Sequence, residues 1–245
     1  MRIPRFYLPA DYQPGLVVEL HKDQTHYALT VLRLKNGHLI DVFDGQGRQA
    51  RASLQVIDKR TAHVTLGEIS QPSTESPLHT LLLQGISRGE RMDYALQKAV
   101  ELGVTEIQPL FTERCEVRLE DDKQHKRREQ WQALVISACE QSGRCVVPQV
   151  KPLMTLTEWF AQTPQTPGLV LDPYSHKNLS QLPKPDPTLP LAVLIGPEGG
   201  LTDDEVQLAQ QQGFQGIRLG PRILRTETAA PVILSLLQAQ WGDLV

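Results

Sequence analysis

The second part of the chain is constrained most strongly by short apolar segments that alternate with helical ones. Residues 79–86 (HTLLLQGI) and 191–195 (LAVLI) are apolar without alternation, so both faces of the strands that they predict must be buried. Helical patterns separate such segments and end at glycines such as Gly103, Gly143 and Gly213. Strands buried on both faces and joined by helices predict an α/β fold, with a parallel sheet covered on both sides.

The first 70 residues show a different pattern, in which short segments rich in β-branched residues follow one another. These segments predict strands at 16–20, 38–44, 48–57 and 61–69. Asp44-Gly45 is typical of a hairpin turn. One helix interrupts the strands, with Asp23 expected as its N-cap. The pattern indicates a small β-barrel or a mostly β domain with one helix.

A polar segment bracketed by prolines follows at 71–77 (QPSTESP) and shows no periodicity. Such a composition is typical of a linker. We therefore expect two domains, residues 1–72 and residues 73–245.

Charge and cysteine content exclude several classes of protein. The 245 residues carry 25 basic and 28 acidic side chains, a net charge of −3, which is unlike a histone-type nucleic-acid binder. No apolar run approaches the roughly 18 residues of a membrane span, so we expect no membrane partner. Cys115, Cys139 and Cys145 are odd in number and form no CxxC, so we expect reduced thiols, a cytoplasmic protein and no metal.

A GxSxG pattern at 85–89 lies between a strand and a helix, where a serine hydrolase carries its nucleophile. Ser87 would need an acid and then a histidine further along the chain. His125 lies in a charged run and His176 lies far from the C-terminus, so a glycine-flanked turn is the favoured interpretation. The hydrolase stays an alternative.

Two other polar patterns each have a structural and a functional interpretation. Arg91, Tyr94, Lys98 and Glu101 share one face of a helix, which is either a solvated face with a Lys98–Glu101 pair or a wall toward a substrate. The N-terminal residues interleave arginines with aromatics, at Arg2, Arg5, Phe6 and Tyr7. That order suits phosphates and stacked bases, and it suits packing on the barrel equally well.

The strongest local signal is a pair of glycine-proline loops in the last fifty residues. A strand at 191–195 runs into GPEGG at 196–200, and a strand at 214–219 runs into GPRILRTET at 220–228. Leu171-Asp172-Pro173 ends a third strand in a similar way. Ligands bind at the carboxyl edge of parallel sheets, and glycines allow the backbone to approach them closely. Three stiff loops with few polar side chains indicate an adenine-bearing cofactor held by main-chain groups; two turns before capped helices are the alternative.

At these loops the sequence resembles the RsmE family of 16S ribosomal RNA uridine-N3 methyltransferases, in the SPOUT superfamily. The resemblance covers nearly the whole chain and is carried, in the family's order, by MRIPRFY at 1–7, FDGQG at 43–47, SRGERMDYALQKAVELGV at 87–104, ERC at 113–115, ACEQSGR at 138–144, LIGPEGGLTDDE at 194–205 and LGPRILRTETAA at 219–230.

This resemblance implies a SPOUT-type parallel sheet with a C-terminal trefoil knot, and a PUA-like N-terminal β-barrel that helps to hold RNA. It implies a homodimer whose substrate is 16S rRNA in the assembled small ribosomal subunit. It also implies that S-adenosylmethionine binds among the three loops, at Leu171, Pro173, Ile195, Gly196, Pro197, Glu198, Gly199, Gly200, Leu219, Gly220, Pro221, Ile223, Leu224 and Thr226.

The chemistry of the implied reaction needs a group that favours the anion of the uridine and a group that accepts the N3 proton. Arg222 and Arg225 are the expected cations, and Glu198 and Glu227 are the expected proton acceptors. Residues expected to face RNA are Arg2, Arg5, Arg33, Arg88, Lys98 and Arg144. A non-catalytic RNA-binding assembly factor of the same fold stays an alternative.

Overall fold

The computed structural model describes residues 3–163 and 166–244 and divides the chain into two compact units. The first unit contains the chain up to Glu75 together with Cys139–Val147, and the second contains Ser76–Ala138 and the residues from Pro148 onward. The sequence pattern did not indicate that 139–147 belongs with the first unit.

The first unit is built on a mostly antiparallel five-stranded sheet in the order β1-β3-β4-β5-β2. Its core consists of inward-facing residues such as Ile40, Leu54 and Val64, none of which is exposed. β1 pairs with β3 in parallel. This strand, β1, is only three residues long and was not expected from the sequence pattern. The strands are β1 (Arg5–Tyr7), β2 (Val17–Glu19), β3 (Leu39–Phe43), β4 (Gln49–Val56) and β5 (Ala62–Ser70).

The helix between β2 and β3, α1 (Lys22–His26), continues into a π-helical turn over Tyr27–Val31. The expectation that Asp23 caps it was wrong. The N-cap is His21, whose Nδ1 accepts a hydrogen bond from the Asp23 N–H at 3.5 Å, while the side chain of Gln24 accepts from the His21 N–H at 3.1 Å. The helix therefore begins two residues earlier than the acidic residue indicated.

The second unit is built on a seven-stranded sheet in which every pairing is parallel, so the predicted α/β fold with a parallel sheet is confirmed. The strand order is β12-β10-β11-β6-β7-β8, with β9 beside β7. The strands are β6 (Thr80–Gly85), β7 (Glu106–Phe111), β8 (Gln149–Val150), β9 (Met154–Thr155), β10 (Gly168–Leu171), β11 (Leu191–Ile195) and β12 (Gln215–Ile217).

The helices connect these strands: α2 (Glu90–Glu101), α3 (Asp121–Ser142), α4 (Leu156–Gln162), α5 (Asp203–Gln211) and α6 (Thr226–Trp241), with a 3₁₀ turn at Leu179–Gln181. The last turn of α3 is counted with the first unit. Of the helices described, none combines the length and apolarity that crossing a bilayer requires.

Burial and capping explain why these segments fold as they do. Every residue of β6 and of β11 is buried, which is what unbroken apolar segments require in a covered sheet. Helix α5 begins at a capping box, in which Thr202 accepts from the Glu205 N–H at 3.2 Å and Glu205 accepts from the Thr202 N–H at 2.9 Å. This box fixes the point at which the chain leaves the loop after β11.

Candidate functional site

The carboxyl ends of β10, β11 and β12 meet at one edge of the sheet, because β10 lies between the other two and all three run parallel. The loops that follow them enclose a cavity of about 1080 Å³. Its lining comes mainly from residues 171–174, 195–201, 217–219 and 222–227. This is the edge at which open α/β sheets bind ligands.

The structure brings the predicted cofactor residues together at this cavity. All of them line it except Gly220 and Pro221, which lie within the third loop between lining residues. The four expected catalytic residues, Glu198, Arg222, Arg225 and Glu227, line it as well. Their proximity is an observation, while their individual roles stay predictions.

Glycines allow the second loop to fold tightly against its surroundings. A Cβ on Gly196 would lie 2.7 Å from the Gly200 carbonyl carbon and 2.7 Å from the Leu201 nitrogen, both of which are backbone atoms. A Cβ on Gly85, beneath the loop, would lie 2.6 Å from the Pro197 nitrogen. Because backbone atoms cannot move aside as a flexible side chain can, both positions require glycine.

A buried hydrogen-bond relay joins this loop to the start of α6. The Thr226 hydroxyl donates to the Gly196 carbonyl at 2.7 Å and accepts from the Gln84 side-chain amide at 3.0 Å. Thr226 is 6% exposed and Gln84 is not exposed at all. The relay therefore fixes the orientation of the Gly196 peptide from the interior of the sheet.

Arg91, the second residue of α2, lies between two carboxylates of the site. Its Nη1 donates to Glu198 Oε1 at 3.0 Å, and its Nε lies 3.9 Å from Glu227 Oε1. Glu198 Oε1 also accepts from the Arg88 backbone N–H at 2.9 Å. Glu227 Oε2 is buried and has no hydrogen-bond partner among the described residues. Arg91 thus ties the second loop and the start of α6 to α2.

These contacts set the ionisation of Glu198. Burial raises the pKa of its carboxyl group, but the hydrogen bonds from the Arg88 N–H and the Arg91 guanidinium outweigh burial, so the pKa lies below its ordinary value. Glu198 is therefore an ionised, ion-paired carboxylate near neutral pH, and such a group is a weak base.

Arginines from two further segments reach the cavity. Arg114, in the loop after β7, donates from Nη1 to the Gly199 and Leu201 carbonyls at 3.2 and 3.1 Å, which braces the second loop. Arg222 and Arg225 are exposed and form no ion pair with any residue that the structure describes. Their guanidinium groups are available to an anionic ligand.

Sequence reasoning did not include several lining residues among the candidates for the site: Arg91, Arg114, Asp172, Tyr174 and Arg218. Arg91 had been noted only as part of a polar helix face. The other four could have been found from their position in the sequence, since each closely follows a strand of the parallel sheet. Arg114 lies in the ERC segment at 113–115, which was used for the resemblance and not for the site.

The residues expected to face RNA are dispersed, and their RNA contacts stay predictions. Arg2 lies outside the described residues. Within the first unit, Arg33 is exposed with a positive φ of 54°, while Arg5 donates to the Cys139 carbonyl at 2.7 Å and lies over the Phe43 ring at 4.0 Å.

Arg144, also in the first unit, is 4% exposed and forms two hydrogen bonds to Glu75, from Nε at 2.9 Å and from Nη2 at 2.5 Å. Burial and pairing of this kind favour a structural role. In the second unit, Arg88 pairs with Glu116 at 2.7 Å and Lys98 pairs with Glu101 at 2.7 Å.

Ser87 is not placed as a hydrolase nucleophile. Its side chain is 2% exposed, and its hydroxyl donates to the Gly85 carbonyl at 3.3 Å within the same turn. Residues 3–163 and 166–244 also hold no group of three or more His, Cys, Asp or Glu side chains placed to bind a metal ion.

Comparisons with known proteins define the class to which this fold and site belong. The sequence model of the family described as "RNA methyltransferase domain" matches residues 74–238, and that of the "RNA methyltransferase PUA domain" matches residues 20–67. The second unit is therefore an RNA methyltransferase domain, and the first carries the PUA-like domain that the resemblance implied.

Individual relatives show to which family of RNA methyltransferases the chain belongs. Ribosomal RNA small subunit methyltransferase E of Buchnera aphidicola (subspecies Schizaphis graminum) is 36% identical, over 99% of this chain and 98% of the relative. The enzyme of the same name from Neisseria gonorrhoeae, in a crystal structure with S-adenosyl methionine, is 41% identical with a TM-score of 0.92. A Legionella pneumophila methyltransferase in complex with the same cofactor is 39% identical with a TM-score of 0.94. Both structures match over 100% of each chain. The chain belongs to the RsmE family of ribosomal RNA small subunit methyltransferases.

Proposed function

We propose that this protein is an S-adenosylmethionine-dependent methyltransferase that methylates N3 of a uridine in 16S rRNA of the assembled small ribosomal subunit. The observation that carries the proposal is the cavity at the carboxyl edge of β10, β11 and β12, in a chain that matches two S-adenosylmethionine-bound structures over its whole length.

The residues of the cavity fit this cofactor. Ile195, Ile217 and Leu219 provide apolar walls for an adenine ring, and the glycines of the second loop leave its backbone uncovered. Four carboxylates and five arginines also line the cavity. The lining therefore offers partners to the sulfonium and ammonium groups of this ligand and to its carboxylate. The loops at 171–173, 195–200 and 219–226 would hold the cofactor.

When bound, S-adenosylmethionine supplies an electrophilic methyl group. The chain must then favour the anion of the uridine, because the N3 nitrogen attacks only as its proton leaves. Arg225, or an arginine of a second subunit, would stabilise negative charge on O2 and O4, with Arg222 beside it. Both side chains are exposed at the cavity and lack ion pairs with described residues, so neither must break a contact first.

Of the two expected proton acceptors, the contacts support Glu227. Glu198 Oε1 already accepts two hydrogen bonds, from the Arg88 N–H and Arg91. Glu227 lines the cavity, and its buried Oε2 has no hydrogen-bond partner among the described residues, so a rotation of the side chain would bring an unused acceptor to the cavity. Glu198 then serves to hold the second loop in place through Arg91.

The proposal extends to the organisation of the protein. We place the functional domains at 1–72 and 73–245, with their boundary inside the short segment between the two family matches. The proposal includes a trefoil knot near the C-terminus, which the resemblance to the RsmE family implies. A homodimer, which the family resemblance implies, completes the proposal. We place it in the cytoplasm because the relatives are named for the small subunit of the ribosome.

The test is methyl transfer from labelled S-adenosylmethionine to small ribosomal subunits isolated from cells that lack this protein. Nucleoside mass spectrometry should find 3-methyluridine at one position of 16S rRNA. Arg225→Ala and Glu227→Gln should lower kcat about 10²- to 10⁴-fold, and Glu198→Gln should lower it less. Normal turnover by Arg225→Ala would remove this residue from the chemistry. Cofactor binding without transfer to any RNA would refute the proposed substrate. Absence of cofactor binding would favour the non-catalytic assembly factor.

A further inference from the structure

The loop after β10 presents an exposed aromatic ring at the cavity, and basic side chains from this loop and from the residue after β12 lie close to it in the structure. Tyr174 is 78% exposed, and His176, Lys177 and Arg218 are exposed as well. We call these four residues the Tyr174 patch. Tyr174 and Arg218 also line the cavity, so the patch is continuous with the site of the proposed chemistry.

The backbone of the patch is held in place by hydrogen bonds to the end of β12. The Asp172 N–H donates to the Ile217 carbonyl at 3.0 Å, and the Arg218 N–H donates to the Lys177 carbonyl at 2.9 Å. Between them, the Ser175 hydroxyl donates to the Gly216 carbonyl at 2.6 Å. An exposed tyrosine on a fixed loop loses little conformational entropy when a ligand stacks on it.

The lysine and the arginine of the patch have no acidic partner in the part of the chain that the structure describes. Neither Lys177 nor Arg218 forms an ion pair with any residue that the structure describes. The nearest acid in sequence, Asp172, accepts the Tyr174 N–H at 2.9 Å through Oδ1 and so stabilises the turn itself. By contrast, Arg88, Arg91 and Lys98 elsewhere in this unit are ion-paired.

We propose that the Tyr174 patch binds single-stranded RNA next to the nucleotide in the cavity, with one base stacked on Tyr174 and phosphates at Lys177 and Arg218. The proposal deepens the proposed function and rests on it. A flat, exposed ring beside unpaired cations matches the two features of an RNA strand, a π-face and a phosphate, whereas a protein partner would favour a larger apolar surface.

The experiment measures binding of a fluorescein-labelled ten-nucleotide oligouridine to the full-length protein by anisotropy, between 50 and 200 mM salt. The variants are Tyr174→Ala, Tyr174→Phe and Arg218→Ala, and Lys126→Ala removes an exposed charge on α3 as the control. Tyr174→Ala should weaken binding about five- to 150-fold, and Tyr174→Phe should leave it within twofold. Arg218→Ala should reduce the slope of log affinity against log salt by about 0.7, and Lys126→Ala should not change it.

Two further measurements separate this proposal from other roles of the patch. Because Tyr174 also lines the cavity, the calorimetric affinity for S-adenosylmethionine in Tyr174→Ala should fall by less than the affinity for oligouridine, and the sedimentation coefficient should be the same as in the wild type. A matching loss of cofactor affinity would show that the ring serves the cofactor, and a changed oligomeric state would show that it serves a subunit contact; either result overturns the proposal. Unchanged oligouridine affinity in Tyr174→Ala overturns it too. If the wild type transfers no methyl group to the small subunit, the proposed function fails, while the anisotropy series still decides whether the patch binds RNA.

Discussion

The relay through Thr226 permits a sharp test, because valine has nearly the same shape as threonine and lacks the hydroxyl. In Thr226→Val, the Gly196 carbonyl loses its donor at 2.7 Å and the Gln84 amide loses its acceptor at 3.0 Å. The Gln84 amide keeps one bond, to the Gly85 carbonyl at 3.1 Å. Two buried or half-buried polar groups are therefore each left with one partner fewer.

The expected cost follows from these two groups. A buried polar group left without its partner costs about 1–3 kcal/mol, and Gly196 is only partly buried, so we expect about 2–4 kcal/mol in total. The control is Thr226→Ser, which keeps the hydroxyl and loses one methyl group, at about 0.8 kcal/mol. The difference between the two variants isolates the hydroxyl.

The assay is urea unfolding followed by circular dichroism, together with calorimetric titration of S-adenosylmethionine. Thr226→Val should unfold at clearly lower urea than Thr226→Ser and should bind the cofactor more weakly, since the Gly196 peptide lines the cavity. Equal free energies of unfolding for the two variants would refute the relay as a stabilising element. Equal cofactor affinities would refute its role in shaping the loop.

Three other outcomes are expected. Arg91→Ala should raise the KM for S-adenosylmethionine more than Arg91→Lys, because lysine can keep one contact to Glu198. Equal KM values in steady-state kinetics would contradict a role of Arg91 in holding the second loop. The pKa of Glu198 is lowered in the folded protein, so its stabilising contribution is present above the ordinary carboxyl pKa and is lost as the pH falls through the lowered value. The wild type should therefore exceed Glu198→Gln in free energy of unfolding at pH 7, with the gap closing below about pH 4; a gap independent of pH would speak against this ionisation. Burial raises the pKa of Cys139 to about 12, and Cys115 and Cys145 are buried too, so a disulfide reagent at pH 8 should label the native protein far more slowly than the urea-unfolded chain.

Much of the second unit could be predicted from local pattern, because its strands are buried on both faces and its helices end at glycines. Helices were expected to end at Gly103, Gly143 and Gly213, and α2, α3 and α5 end within two residues of these glycines. The segments at 191–195 and 79–86 were likewise expected as strands and appear as β11 and β6. An uninterrupted apolar segment identifies such a strand, because its side chains are favourable only where both faces of the strand are buried.

Long-range features were not predictable in this way. The membership of 139–147 in the first unit depends on pairs distant in sequence, such as Arg144 with Glu75. The strand over Arg5–Tyr7 is short and its pairing with β3 is parallel, so no turn signal marks it. The N-cap of α1 depends on the imidazole of His21, a residue that cap preferences do not favour.

The candidate site shows the same difference between local patterns, which could be predicted, and long-range contacts, which could not. Its loops were predictable because each follows an apolar strand and contains proline, and the loops after β11 and β12 contain glycine as well. The contacts of Arg91 with Glu198 and Glu227 were not, because they join α2 to a loop and to the start of α6, both more than a hundred residues away along the chain. The resemblance indicated which residues gather at the site, and only the structure distinguishes the engaged Glu198 from the unpartnered oxygen of Glu227.

The central claim is that the loops after β10, β11 and β12 hold S-adenosylmethionine, and calorimetric titration of the wild type and of Gly196→Ala tests it most directly. The wild type should bind with a saturable heat. Gly196→Ala should bind at least about tenfold more weakly, because its Cβ would meet backbone atoms at 2.7 Å inside the second loop. A wild type that binds no cofactor, or a folded Gly196→Ala that binds it as well as the wild type, would contradict the account.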